Sequence, residues 1–212
     1  MKGYPATAWA TSRSACRQIA LLSFLALGLV TGSGWGQRPM LDNRSATVDP
    51  ELRSILLEAV ADADSFNDRF SAEVWLTDMS QRLAAQVPDL NERLHILRTV
   101  HHEATRTDLS PELVLAVIEV ESNFDRFAIS SSSALGLMQV MPFWVEELGG
   151  GDQSDLFEVR YNLLLGCRIL KYYLDLENGE LVRALARYNG SLGRRGYADR
   201  VIDVLRSKWY RI

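Results

Sequence analysis

The sequence has few cysteines, and this scarcity sets the first limit on its fold. It contains two cysteines in 212 residues, Cys16 and Cys167. Cys16 lies in the amino-terminal segment that we interpret as a secretion signal, so cleavage leaves Cys167 without a disulfide partner. Packed side chains must then stabilise the fold without a covalent link. Cys167 lies in an apolar helical pattern, which is typical of a small buried residue rather than a nucleophile.

The sequence also lacks an apolar run long enough to cross a membrane. The apolar stretch near the amino terminus covers residues 19–30, twelve residues, whereas a membrane-spanning helix needs about 20. Three basic residues and no acidic residue precede it, and small residues follow it as far as Gly36. This layout is typical of a secretory signal peptide. We therefore predict a signal over residues 1–36, cleaved near Gly36, and an exported, periplasmic protein. An uncleaved membrane anchor is the alternative.

The chain has no excess of positive charge. Its formal net charge is -4, and cleavage after Gly36 removes Lys2, Arg13 and Arg17 without removing any acidic residue, which leaves -7. A protein this acidic has no electrostatic footprint for nucleic acid or for anionic lipid. Nucleic acid is therefore excluded as an expected partner.

No metal-binding motif stands out among the three histidines. The stretch His101-His102-Glu103 differs from the zinc helix pattern H-E-x-x-H because Arg106 occupies the position of the second histidine. The sequence predicts no metal site and no cofactor.

Alternating strand patterns, repeats and low-complexity tracts are all absent, and helical periodicity takes their place. The predicted fold class is all-α, with a leader and helical segment over residues 37–88 and a main domain over residues 89–212. Ser110 and Pro111 are predicted to be the N-cap and first residue of one helix. Phe70 and Val74 are counted on an apolar face. The predicted helices cover residues 50–63, 70–87, 90–106, 111–123, 139–147, 161–176, 181–188 and 197–210.

Residues 117–142 carry the pattern that points to chemistry. Glu121 lies at the end of an almost wholly apolar helix, and an apolar pocket favours the protonated form of a carboxyl group. Glu119 lies about 200° away around the helix, so one of the two glutamates can point into a given pocket. Asp125 is the nearest second carboxylate in sequence, but the helix is expected to end before it.

Several ordered motifs resemble those of the soluble lytic transglycosylases, lysozyme-like enzymes that cleave the glycan of bacterial cell wall. The similarity covers about residues 90–210. The matching motifs are Glu121–Ser122, Ser130, Gly136-Leu137-Met138-Gln139 with Met141–Pro142, Asn162 with Gly166, Tyr188-Asn189-Gly190, and Tyr197 with Arg200–Val201.

The resemblance implies a lysozyme-like helical domain that cleaves the β-1,4 bond between MurNAc and GlcNAc and leaves a 1,6-anhydroMurNAc end. Glu121 would act as general acid and then as base, without a metal or cofactor. Peptidoglycan glycan strands are the implied partner, proteins of the cell-wall machinery are further candidates, and the oligomeric state stays open.

The resemblance also assigns substrate-binding roles. Ser130 would lie beside Glu121 or the N-acetyl group of the substrate, and Gln139 and Met141 would line the sugar subsites. Tyr188 would form a hydrogen bond near the carboxyl group, and Asn189 would shape that wall of the cleft.

Two departures from the family pattern affect the expected substrate fit. The family loop commonly reads Ser-Pro-x-Gly-Ala, whereas this chain has four serines and an alanine at positions 130–134. Phe143 and Trp144 replace the small residues that usually follow Met-Pro. Two other functions stay open: a hydrolytic muramidase of the same fold, for which Asp125 would be the second carboxylate, and a wall-binding or assembly module without activity.

Overall fold

Helices account for the regular structure of the part of the chain that the computed structural model describes, residues 65–66, 68–148 and 151–210. In chain order they are α1 (Arg69–Leu83), α2 (Leu90–Arg106), α3 (Pro111–Ser122), α4 (Phe143–Glu147), a 3-10 helix (Gln153–Phe157), α5 (Val159–Leu176), α6 (Leu181–Tyr188), α7 (Gly196–Val204) and a π-helical turn (Leu205–Trp209). Extended pairing in these residues is limited to two isolated bridges. The all-α prediction is confirmed. The signal over residues 1–36 and the helix over residues 50–63 lie outside the described residues.

Capping side chains fix where the first three helices begin. The carboxylates of Asp68 and Asp89 accept hydrogen bonds from backbone N–H groups in the first turns of α1 and α2, at 2.9 and 2.7 Å. Ser110 is the N-cap of α3 and Pro111 its first residue, as predicted. These local signals explain why the predicted start of α2 and of α3 coincides with the observed one.

Helix α3 lies at the centre of the fold. Its residues from Leu113 to Ile118 are all buried, so the helix contacts protein on every side along this stretch. It packs against α2, α7 and the π-helical turn, while α5 packs against α2 and α6. At its end Asn123 adopts a left-handed conformation (φ 49°), which stops the helix before Asp125.

Two predictions about local structure are wrong. The helix expected over residues 139–147 covers only Phe143–Glu147, because Gly136 and Gln139 have positive φ angles of 73° and 49° and turn the preceding chain into a bridged loop. Phe70 and Val74 were expected on an apolar face, but their exposed fractions are 75% and 52%. Other residues of α1, among them Leu76 and Leu83, form its buried face against α2.

The carboxyl end of the chain closes the fold against α1 and α3. Arg82 of α1 is held by Asp78 at 2.6 Å and donates hydrogen bonds to the backbone carbonyls of Lys208 and Trp209. Glu119 of α3 accepts the indole N–H of Trp209 at 2.8 Å and pairs with Lys208 at 3.0 Å. None of the helices in the described residues is long and apolar enough to cross a membrane.

Candidate active site

Glu121, in the last turn of α3, faces a pocket formed by the loop before α4 and by helices α5 and α6. The space between the protein atoms of this pocket is about 340 Å³, and part of it is open to solvent. Its lining residues are Glu121, Gln139, Val140, Met141, Trp144, Ile169, Tyr188 and Asn189.

Burial raises the pKa of Glu121 from 4.5 to about 7. Two weaker effects oppose this rise: the hydrogen bond from Tyr197 and the positive charge of Arg200, both of which favour the ionised carboxylate. The Tyr197 hydroxyl donates to Glu121 Oε1 at 2.6 Å. A carboxyl group with this pKa exists in both protonation states near neutral pH, so it can give and then take back a proton.

A network of hydrogen bonds holds the loop opposite Glu121. The Ser122 hydroxyl donates to the carbonyl of Leu137 at 2.8 Å. Asn162, buried in α5, accepts from the N–H of Met138 at 2.8 Å, and its amide donates to the carbonyls of Leu135 and Leu156 at 2.9 and 2.8 Å. The loop therefore has one fixed position between α3 and α5.

Two glycines allow the loop to approach α5 this closely. A Cβ at Gly136 would lie 2.3 Å from the Asn162 amide nitrogen and from the carbonyl of Leu156, and the positive φ angle there also disfavours other residues. A Cβ at Gly166 would lie 2.4 Å from the sulfur of Met138. Both sites require glycine for close packing around the pocket.

Four of the five predicted substrate-binding residues line the pocket with Glu121: Gln139, Met141, Tyr188 and Asn189. Ser130 does not line it. The Ser130 hydroxyl oxygen accepts backbone N–H groups of Ser132 and Ala134 at 3.3 and 2.9 Å and so shapes its own loop.

Tyr188 differs from expectation in its bonding. Its hydroxyl donates to the carbonyl of Met138 at 2.7 Å, whereas the hydrogen bond to Glu121 comes from Tyr197. Tyr188 nevertheless lines the same pocket as Glu121. Burial raises the pKa of the Tyr188 phenol, and the negative charge of Glu121 raises it further.

Gln139 also has a structural role at the pocket wall. Its side-chain amide donates to the carbonyls of Ala128 and Gly136 at 3.1 and 2.9 Å. These bonds fix the orientation of the side chain and secure the turn in which Gln139 itself has a positive φ angle.

Sequence reasoning gave no role to four residues at the site: Tyr197, Val140, Trp144 and Ile169. Tyr197 was noted as part of a motif, but its contact with Glu121 spans 76 positions. Trp144 was noted as a departure from the family pattern, and that departure was the available signal. Ile169 lies one turn from Gly166 on α5, yet nothing in its own position distinguishes it from other core residues.

Glu121 is the one acidic side chain among the described residues that line the pocket. Glu119 points away from it, toward Trp209 and Lys208. Asp125 is exposed beyond the end of α3, and its carboxylate accepts the N–H of Phe127 at 2.9 Å. Across the described part of the chain, no three histidine, cysteine, aspartate or glutamate side chains are grouped so that they could hold a metal ion.

Comparison with known families finds one family model that matches the part of the chain containing this pocket. A sequence model described as "Transglycosylase SLT domain" matches residues 98–201, which include all eight residues that line the pocket, Glu121 among them. Residues 98–201 form a transglycosylase SLT domain. The SLT domain thus begins within α2 and ends within α7, so α1 and the π-helical turn pack against it from outside the match.

Two curated relatives are similar to part of this chain. The chain is 30% identical over 124 residues to "Membrane-bound lytic murein transglycosylase C" of Photorhabdus laumondii, and 32% identical over 124 residues to the protein of the same name in Yersinia pestis. Each alignment covers 49% of this chain and 34% of the relative. The chain therefore spans about a third of the length of the curated relatives it matches.

A solved structure of an inactive mutant of lytic transglycosylase Slt from Pseudomonas aeruginosa was also found. The two chains align with a TM-score of 0.45 and 23% sequence identity, and the alignment covers 77% of this chain and 34% of the Slt chain.

Proposed function

We propose that this protein is a peptidoglycan lytic transglycosylase that cleaves the β-1,4 bond between MurNAc and GlcNAc and leaves a 1,6-anhydroMurNAc end. One observation carries the proposal: Glu121, inside an SLT domain, is a pocket carboxyl group whose pKa burial raises to about 7. Relatives that are 30% and 32% identical over 124 residues are named as lytic murein transglycosylases, which supports the same substrate class here.

Glu121 acts first as a general acid in this mechanism. Its protonated carboxyl group donates a proton to the glycosidic oxygen, and the bond between that oxygen and the anomeric carbon of MurNAc breaks. Positive charge develops on the sugar ring as the GlcNAc hydroxyl leaves. The pKa of about 7 keeps a large share of Glu121 protonated at neutral pH for this step.

The same glutamate, now ionised, then acts as the base. It removes the proton of the 6-hydroxyl of the MurNAc unit, and the 6-oxygen forms a bond to the anomeric carbon. Because the nucleophile belongs to the reacting sugar, the ring closes within one molecule and no water is consumed. Glu121 ends the cycle protonated, as it began.

The pocket residues supply binding and position. Tyr197 holds one oxygen of Glu121 at 2.6 Å and fixes the direction of the carboxyl group. Met141, Gln139, Tyr188 and Asn189 form the walls that contact the glycan, and Ser130 keeps the neighbouring loop in shape. The reaction needs no metal or cofactor.

Glycan strands of peptidoglycan lie outside the cytoplasm, so the proposal includes export. The basic start and short apolar run over residues 1–36 support a secretion signal. The protein would then act in the periplasm as a domain of residues 89–212, preceded by the segment of residues 37–88.

Mass spectrometry of fragments released from purified cell-wall sacculi tests the reaction. The purified full-length chain is expected to release muropeptides that are lighter by one water than hydrolytic fragments. Glu121→Gln is expected to release none, because an amide cannot donate and recover the proton. Asp125→Asn is the matched control, since it removes an exposed carboxylate four residues away and is expected to keep full activity.

Other products would contradict the proposal in distinct ways. Fragments with reducing ends would identify a hydrolytic muramidase, and loss of activity in Asp125→Asn would assign it the second carboxylate. Binding of sacculi without release of fragments would indicate a wall-binding module.

A further inference from the structure

We propose that Trp144 is a sugar-binding residue of this pocket, whose indole ring stacks on an N-acetylhexosamine ring beside Glu121 and whose N–H donates to an oxygen of that sugar. The inference rests on the proposed function, because it takes the substrate to be a glycan. It adds a residue that the family resemblance does not supply, since small residues are usual at this position.

The position of Trp144 is the first observation. It lies in α4 and lines the pocket together with Glu121 and Met141. Phe143, next to it, is 42% exposed, and the two ring centroids are 5.1 Å apart at an interplanar angle of 32°. The aromatic surface therefore continues from the pocket wall toward solvent, where a glycan chain would enter or leave.

The indole N–H of Trp144 is the second observation. Trp75 and Trp209, the other tryptophans in the described residues, donate their indole N–H groups to Glu112 and Glu119, each at 2.8 Å. Trp144 has no such acceptor in the part of the chain that the structure describes. Tryptophan N–H groups usually find a partner inside the protein when they are buried. Trp144 is half-buried at the pocket wall, so its N–H is available to a ligand oxygen.

Backbone hydrogen bonds fix the position of Trp144 in α4, and its side chain packs against the core. The backbone N–H of Trp144 donates to the backbone carbonyl of Met141 at 3.0 Å, and the backbone carbonyl of Trp144 accepts the backbone N–H of Leu148 at 3.0 Å. Val145, the next residue, is 3% exposed and anchors α4 in the core. A side chain on a fixed element needs little ordering when the ligand binds.

The wall around Trp144 suits a sugar ring. Met141 and Ile169 add apolar surface, while Gln139 and Asn189 add polar groups on the same pocket. A pyranose ring has C–H groups on its faces and hydroxyl and acetamido groups around its edge. An apolar face with a polar edge is the ligand that such a mixed pocket accommodates.

Binding of N-acetylglucosamine tetramer to the full-length Glu121→Gln chain tests the inference without turnover. Calorimetry is expected to show weaker binding by about tenfold or more with Trp144→Ala added, because the ring and the N–H are both lost. Trp144→Phe keeps a ring and is expected to lose less affinity. Phe70→Ala, an exposed aromatic on α1 outside the pocket, is the control with unchanged affinity.

Tryptophan fluorescence gives an independent signal. The tetramer is expected to change the emission of the Glu121→Gln chain, and this change is expected to disappear with Trp144→Phe although calorimetry still detects binding. A change that persists in Trp144→Phe, affinity unaffected by Trp144→Ala, or no binding of the tetramer would each overturn the inference. Anhydro products absent from the active chain, with the Trp144 signal present, would overturn the proposed function alone.

Discussion

At the scale of single residues, the burial that gives Glu121 its chemistry also reduces stability. Below a pH of about 4.5 the carboxyl group is neutral in the folded and unfolded chain alike, and burial of the neutral form has little electrostatic cost. As the pH rises through about 7, the unfolded chain is already ionised while the folded chain must ionise Glu121 inside the pocket. The raised pKa therefore destabilises the folded state increasingly from pH 4.5 to pH 7, and fully above it.

We expect Glu121→Gln to be more stable than the parent chain at pH 8, by at most about 3 kcal/mol from the shift between 4.5 and about 7. The gain should shrink toward zero at pH 4, because glutamine resembles the protonated glutamate. Urea unfolding followed by circular dichroism at both pH values measures it. The exposed Asp125→Asn serves as the control, and an equal gain for Glu121→Gln at pH 4 and pH 8 would contradict the raised pKa.

At the residue scale, the sequence can place a side chain at the pocket where its position depends on local pattern. Glu121 could be found because an apolar helix and its end are visible in ten consecutive residues. Tyr197 could not be given its role, because the hydrogen bond to Glu121 joins positions 76 apart and depends on how α7 packs against α3. Tyr188 was expected to form a hydrogen bond near the carboxyl group, and the sequence could not identify its acceptor, the carbonyl of Met138, for the same reason.

At the scale of elements, the contact between α5 and the loop before α4 determines the shape of the pocket. Gly166 lies against Met138, whose backbone is held on one side by Asn162 and on the other by the Tyr188 hydroxyl. A Cβ at Gly166 would lie 2.8 Å from Met138 Cβ, an atom that cannot move without the backbone. The loop would have to leave its position between α3 and α5.

We therefore expect Gly166→Ala to destabilise the chain by about 1–3 kcal/mol, the usual cost of overpacking a core. Adding Met138→Ala should recover part of the loss, because it removes the Met138 sulfur, which would lie 2.4 Å from the new methyl group, although the Cβ at 2.8 Å remains. Thermal unfolding of the two single variants and the double variant gives the coupling. Gly196→Ala in α7, where a Cβ meets no atom within 4 Å, is the control and should not destabilise the chain. If the loss of stability in the double variant equals the sum of the losses in Gly166→Ala and Met138→Ala, the predicted clash between the two positions is contradicted.

Element boundaries show how far the sequence alone could go. The predicted bounds of α2 and α6 agree with the observed Leu90–Arg106 and Leu181–Tyr188, because caps, prolines and Asn-Gly pairs act locally. Residues 139–142 were predicted to be helical and are not, since the turn over residues 136–140 depends on hydrogen bonds to Asn162 and Ala128 and on the positive φ angle of Gln139. Such bonds come from other elements and leave no periodic signal in the segment itself.

At the scale of the whole molecule, residues beyond the SLT match support the end of α3 that carries Glu121. Trp209 is 1% exposed, and its ring centroid lies 5.7 Å from that of Phe124, three residues after Glu121. Phe124 has a φ angle of 66°, an unfavourable conformation for a bulky residue, so surrounding packing must hold it there. Trp209 supplies that packing, and its N–H bonds to Glu119 on the far side of the same helix.

We expect Trp209→Ala to destabilise the chain by about 3–5 kcal/mol, because it removes a large buried ring and leaves a cavity beside Phe124. Trp209→Phe should lose less, since it keeps most of the packing and removes only the donor to Glu119, which still pairs with Lys208. Tyr210→Ala, 59% exposed, is the neighbouring control with little expected loss. Denaturant unfolding of the three variants measures the stabilities.

At a temperature where Trp209→Ala is fully folded, release of muropeptides should still be slower than in the parent chain, because a looser Phe124 lets the end of α3 and Glu121 move. Unchanged release of muropeptides by a folded Trp209→Ala chain would show that the carboxyl-terminal turn does not influence the pocket.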